Sequence, residues 1–193
     1  DKLAQSGVTV LRDLQTAAPA ITFTKAGPTD SVNIRGIGLS STSANVANGV
    51  ATYVDGLFQP PIAQGVELYD IQNVEILRGP QGTLYGKNTT GGAINYLAAR
   101  PVFENSGYIK AGIGNYGRVE ATGAANVVLS PTLAARVAFT AARADGWFRN
   151  RLAGAPNLSG TREYGVRGSL LWQPSDRAEL VLRLSTSLQN PTN

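Results

Sequence analysis

Between residues 105 and 193, apolar and polar side chains alternate in five runs of about ten residues separated by turn-forming clusters. Ile109, Ala111 and Ile113 make the first run. In the second, Val119, Ala121, Gly123, Ala125, Val127 and Leu129 share one face, while Glu120, Thr122 and Asn126 share the other. The third sets Leu133, Val137 and Phe139 against Arg136 and Thr140, and the fourth sets Tyr164, Val166, Leu170 and Trp172 against Arg167 and Ser169. In the fifth, Leu180, Leu182, Leu184 and Leu188 oppose Glu179, Arg183, Ser185 and Gln189. Residues 130–132 and 174–177 read as tight turns, whereas 145–160 is long and polar.

This alternation has two physical readings. An antiparallel sheet with one face on a water-soluble core produces it, and so does a sheet whose apolar face meets lipid. The runs exceed the mean of about five to six residues for soluble strands. Tyr164 and Trp172 close the two ends of one apolar face, as interfacial aromatic girdles would. Short turns at one end and a long loop at the other match the periplasmic and extracellular sides of a membrane barrel. Five strands cannot enclose a filled lumen, and an open edge in hydrocarbon leaves backbone groups unpaired, so further wall strands are expected downstream.

The first hundred residues have a different texture. A short helix is predicted over Thr9–Ala17, then strands at Ile21–Phe23 and Val32–Ile34 around the turn-rich KAGPTD. A polar loop follows at 39–48, then a strand at Ala51–Val54 turned by Asp55-Gly56. Residues 58–65 read as a second loop, Glu67–Ile71 as a helical turn, and Val74–Leu77 as a strand. The stretch VEILRGPQGTLYGKNTTGGAIN then carries Gly79, Gly82, Gly86, Gly91 and Gly92 with Pro80. So many glycines imply a tightly folded loop system with close chain approach. The whole is a small α+β unit ending near Arg100-Pro101.

Three ordered blocks carry a family resemblance: Ser31-Val-Asn-Ile-Arg-Gly-Ile-Gly38, Tyr53-Val-Asp-Gly-Leu-Phe58 and the glycine-rich stretch from Val74 to Asn95. In that order and spacing, the chain resembles the plug domain and first wall strands of TonB-dependent outer-membrane receptors. The resemblance implies an α+β plug over residues 1–104, followed by antiparallel transmembrane strands over 105–193 as part of a larger barrel, 22-stranded in this family. It also implies energy-coupled uptake of a scarce ligand (siderophore-iron, cobalamin, carbohydrate or similar) across the outer membrane of a Gram-negative bacterium, with the plug gating the barrel and with outer-membrane lipid, the energy-transducing protein TonB and a small-molecule ligand such as a metal chelate as partners. By the same resemblance Arg35 and Arg78, with Glu75 beside them, are candidates for locking the plug to wall residues. Tyr53, Phe58 and Gln59 are candidates for facing ligand. Gly36, Gly38, Gly56, Gly79, Gly82, Gly86, Gly91 and Gly92 are the plug's turn glycines. A signal peptide upstream and roughly 400 to 600 further residues downstream are expected from barrel arithmetic.

Composition narrows the chemistry. The 193 residues contain no cysteine, methionine or histidine, which removes thiolates, imidazole bases and the usual ligands of zinc, copper and haem iron. No cofactor and no enzymatic activity are expected. A hydrolase built on two carboxylates would draw on Asp55, Glu67, Asp70 or Glu75, but no spacing singles out a pair. The net charge of +4 comes from scattered arginines, so nucleic acid is not an expected partner. Gly82 to Asn88 lacks the spacing and the Ser or Thr of a phosphate loop, and Arg35-Gly-Ile-Gly38 lacks the third glycine of a dinucleotide fingerprint. The rival class is a soluble β-rich binding or adhesion domain, distinguished by whether the outward strand faces are wet.

Overall fold

The computed structural model describes residues 20–26, 29–38, 49–60, 69–86, 88–151 and 157–190. The predicted helix at Thr9–Ala17, the loop 39–48, most of the second loop and Lys87 lie outside them. The chain divides into two units, Asp1–Ala99 and Arg100–Asn193.

In the first unit, β1 (Ile21–Ala26) and β2 (Thr29–Ile34) form an antiparallel hairpin with Ile21 opposite Ile34 and Phe23 opposite Val32. Both strands run further into the polar KAGPTD segment than its composition suggests. Once the apolar pairs set the register, the ladder satisfies the backbone of polar neighbours equally well.

A four-stranded sheet follows in the order β4-β3-β6-β5, from β3 (Val50–Val54), β4 (Leu57–Gln59), β5 (Ile71–Arg78) and β6 (Gly92–Ala98). β3 and β6 are parallel, and the outer pairs are antiparallel. Period-two alternation gives this sheet two apolar faces. On one, Val50, Ile94 and Tyr96 pack with Ile21, Val32 and Ile34 of the hairpin, and Val54, Ile71, Val74 and Ile76 close the edge. On the other, Ala51, Tyr53 and Ala93 meet Leu77 and Tyr85. Burial on both sides explains why β6 reads GAINYLA with hardly a polar position.

Two segments differ from the sequence reading. Asp55 and Gly56 both have positive φ, 52° and 81°, the two-residue hairpin turn that matches strand twist. It folds Phe58 and Gln59 back as β4, opposite Tyr53 and Thr52, so the loop starts only at Pro60, which has no N–H to donate. Ile71 opens β5 and does not end a helical turn: Asp70 sits at φ 52°, and its carbonyl accepts from the Ala99 N–H at 2.9 Å.

The second unit is a five-stranded antiparallel meander in the order β11-β10-β9-β8-β7. Its strands are β7 (Ser106–Gly114), β8 (Arg118–Ser130), β9 (Leu133–Ala144), β10 (Thr161–Ser175) and β11 (Ala178–Gln189). All five expected runs are strands. Pro174 lies inside an irregularity between Trp172 and Ser175, so the last turn shortens to two residues. The β7–β8 turn is tight as well, although it shares an end of the sheet with the long 145–160 connection.

Candidate functional site

The glycine-rich stretch is a closed excursion between β5 and β6. The N–H of Gly79 donates to the Gly91 carbonyl at 3.1 Å, and that of Gln81 donates to Thr89 at 3.0 Å. Between these ties, residues 82–85 make one helical turn, α1 (Gly82–Tyr85), stopped by Gly86 at φ 79°. The Thr89 hydroxyl donates to the Gly86 carbonyl at 2.7 Å, a side-chain brace on that turn. Gly92 is fixed by sterics: at φ 146° an added Cβ would stand 2.3 Å from the Leu77 carbonyl oxygen. Gly91 is pressed against Ile37 in the same way, and its N–H reaches the Gly49 carbonyl at 2.7 Å. The remaining turn glycines, Gly36, Gly38, Gly56 and Gly79, sit where the chain reverses or leaves a strand.

Arg35 lies exposed at the tip of the turn that follows β2, with Gly36 beside it, held by reciprocal hydrogen bonds between the backbones of Ile34 and Ile37. Arg78 is exposed at the end of β5, opposite Gly92. Glu75 faces Asn95 across the ladder and accepts its amide N–H at 3.2 Å, while Asn95 Oδ1 accepts from the Gly56 N–H at 3.4 Å. Asp55 reaches the same strand, its Oδ1 accepting from the Ala98 N–H at 2.9 Å. A polar seam thus runs from β5 through β6 to the β3–β4 turn. Asn95 does not stand out in the sequence, because a buried amide inside an apolar strand has no periodic signature, and Asp55 stands out there as a turn residue but not as a partner of β6.

Tyr53 is buried, and its hydroxyl donates to the Tyr85 carbonyl at 2.7 Å. Its ring meets Phe58 edge-on at 5.8 Å and Tyr85 at 4.8 Å. Burial, and then the neighbouring Tyr85, push the Tyr53 phenol above its ordinary value. Phe58 and Leu57 are exposed beside it, and Gln59 donates to the Leu57 carbonyl at 3.1 Å. The three residues therefore form one aromatic and amide patch on the β3–β4 hairpin.

The five-stranded sheet shows the decisive geometry. Its register places Val127, Ala135, Leu170 and Leu182 on one row, and Ala125, Val137, Gly168 and Leu184 on the next. This apolar face is the exposed one: Ile113 is 91% accessible and Leu184 70%. The opposite face carries the rows Asn126, Arg136, Ser169, Arg183 and Ala124, Ala138, Arg167, Ser185. There Asn126 is 2% accessible and Arg167 5%. A water-soluble sheet sorts its side chains the other way round. Thr122 and Thr140 share a hydroxyl contact of 3.2 Å on the polar face, and Arg183 Nε donates to Ser169 Oγ at 3.4 Å.

Two further features anchor this unit. Asn126 holds the chain ahead of β7, accepting from the Val102 N–H at 3.1 Å and donating to the Val102 and Glu104 carbonyls at 2.7 and 2.6 Å. Arg100 pairs with Glu179. On the apolar face, Leu133, Leu170, Leu180 and Leu182 line a shallow groove against Trp172.

Comparisons agree with this geometry. Residues 1–93 match the TonB-dependent receptor plug domain. The pesticin receptor of Yersinia pestis is 36% identical over 116 residues, covering 59% of this chain and 17% of that protein. The ferrioxamine receptor of Yersinia enterocolitica is 26% identical over 161 residues, 80% of this chain and 20% of that protein. The crystal structure of the ferric yersiniabactin uptake receptor FyuA from Yersinia pestis superposes with a TM-score of 0.88 at 30% identity, over 97% of this chain and 30% of that one. The chain therefore spans less than a third of the length of these relatives. With a plug at its front and outward-apolar strands behind, this chain belongs to the TonB-dependent receptor family.

Proposed function

We propose that the chain is the plug and first wall segment of an outer-membrane receptor that takes up a scarce metal chelate of the ferric siderophore class. The single observation that carries this reading is the inverted sheet, with large apolar side chains in the open and Asn126 and Arg167 covered, directly after a plug. Large apolar side chains exposed on all five successive strands fit a solvent that is hydrocarbon. Relatives named for ferrioxamine and ferric yersiniabactin support the ligand class.

In this reading the wall closes as a 22-stranded barrel, the sheet's apolar face meets lipid, and the polar face lines the lumen. Nothing in the site calls for covalent chemistry. The work is binding and gating, which a small unit held by turns and polar contacts performs by local rearrangement while the wall stays folded. Arg35 and Arg78, both exposed at strand ends, act as cationic latches toward wall carboxylates. Phe58 offers its ring to ligand from the β3–β4 hairpin, with Tyr53 behind it as a fixed support. TonB supplies the pull that opens a path.

The test is uptake of radiolabelled iron chelates by a bacterium lacking the gene, with and without the full-length gene product and with TonB deleted. Chelate accumulation that requires both is the expected result. Accumulation independent of TonB, or recovery of the protein in the aqueous fraction, overturns the reading.

A further inference from the structure

The apolar face of the five-stranded sheet carries charge at one end only. Arg143 is in register with Arg162, and both lie on the outward parity: Val137 and Ala141 precede Arg143 on β9, and Tyr164 and Val166 follow Arg162 on β10. The next rung toward the centre pairs Ala141 with Tyr164, and below it Phe139 pairs with Val166. Directly opposed residues on one face hold their Cβ atoms about 5 Å apart, where like charges repel. Two guanidiniums so placed repel each other, and an anion between them relieves that repulsion. Asp145 is the near carboxylate, 3.9 Å from Arg143, with both side chains more than 60% accessible. An exposed pair of that length contributes little, and among the described residues Arg162 has no ion pair of its own.

Position says what the anion is. The rung runs from Ile113 through Val119 to Arg143 and Arg162, two residues and about 7 Å along the strand beyond Tyr164, so the two arginines stand at the edge of the apolar band, next to headgroup level. Arginine on a lipid face costs about 2–4 kcal/mol at the midplane but about 0–1 near the interface. The 145–160 connection leaves from this end, which orients it to the cell exterior when long loops face outward. The outer leaflet of a Gram-negative outer membrane is a phosphorylated glycolipid. At the opposite end of the sheet the last turn holds Asp176 beside Arg177, a balanced pair.

Resting on the proposed membrane reading, we infer that Arg143 and Arg162 form an outward-facing clamp for a lipid-borne phosphate of the outer leaflet. Guanidinium forks bind phosphate oxygens bidentately, and two forks across one rung converge on a single group. Tyr164, one rung inward, lies against the start of the acyl region.

The experiment uses the full-length gene product refolded in detergent micelles, with bound lipid counted by native mass spectrometry after addition of bisphosphorylated lipid A, dephosphorylated lipid A, phosphatidylcholine or inorganic phosphate. Heat-modifiable gel mobility reports barrel folding separately. Expected are retention of bisphosphorylated lipid A alone, a fall of tenfold or more in the R143Q/R162Q variant with mobility unchanged, and full retention in R177Q. Equal retention by the double variant, equal binding of dephosphorylated lipid, or capture of inorganic phosphate in place of lipid overturns the clamp. Loss of the heat-modifiable form in the wild-type protein overturns the membrane reading itself.

Discussion

Placing an arginine on the exposed face tests what solvent that face meets. Leu184 is in register with Gly168, which is itself opposite Val137, and this rung lies midway between Tyr164 and Trp172. Four residues separate Gly168 from each aromatic, about 14 Å along the strand and about 10 Å along the membrane normal at a tilt of about 40°. That rung is therefore at the midplane of a band about 25 Å tall. Leu184→Arg should cost about 2–4 kcal/mol of folding free energy in a bilayer, a shift of about 30- to 700-fold in the folding equilibrium. Ser187→Arg, on the polar face opposite Gly165, is the matched control and should change folding little. Folding of the full-length gene product into phosphatidylcholine vesicles, titrated with denaturant and read by gel mobility, measures both. If Leu184→Arg folds as well as Ser187→Arg, the exposed leucines do not face lipid and the reasoning fails.

Tyr96 and Thr52 are buried, and among the described residues Tyr96 Oη and Thr52 Oγ1 have no hydrogen-bond partner. Tyr96→Phe and Thr52→Val should each stabilise the plug by about 1 kcal/mol or more, seen as higher thermal midpoints. Burial also raises the Tyr96 phenol above 10.0. The folded state therefore keeps that proton when the unfolded chain loses it, so the associated stability is whole below pH 10 and is lost as pH climbs further. Wild type minus Tyr96→Phe, compared by denaturant titration, should fall by about 1.4 kcal/mol per pH unit there. Gly92→Ala, at φ 146° and against the Leu77 carbonyl, should destabilise the plug by roughly 3 kcal/mol, measured by calorimetry. Asn126→Ala strips three hydrogen bonds from the backbone around Val102 and Glu104 and should cost about 2–3 kcal/mol, with rapid amide exchange appearing at Val102.

The strands of the second unit were legible because one long-range condition, a different solvent on each face, writes itself into every second residue. From Val119 to Leu129 every odd position is apolar or glycine, while Glu120, Thr122 and Asn126 stand at even ones, a period that a helix does not produce. The plug was less open to such reading. β4 is only three residues long and exists because the Asp55–Gly56 turn returns the chain, so its cue lies in the turn and not in Leu57–Gln59. Ile71 reads as the end of a helical turn, but its place is decided by pairing with Ala98, 27 positions away in the sequence. The glycines marked the tight loop correctly as a type of place. Which of them bear steric necessity, as Gly92 does and Gly82 does not, depends on what the fold brings against them. The Arg143–Arg162 rung was invisible for the same reason: the residues are separated by the whole 145–160 connection, and only the register joins them.

The meander has a kinetic consequence. Among the described residues every strand from β7 to β11 bonds only to its neighbours in sequence, so none of these four pairings waits for a distant segment to arrive. Loop-closure entropy is met one hairpin at a time, and each completed strand is a template with the amides of its far side ready for the next. A wall of this kind can grow like knitting, row on row, at the moment it enters the bilayer.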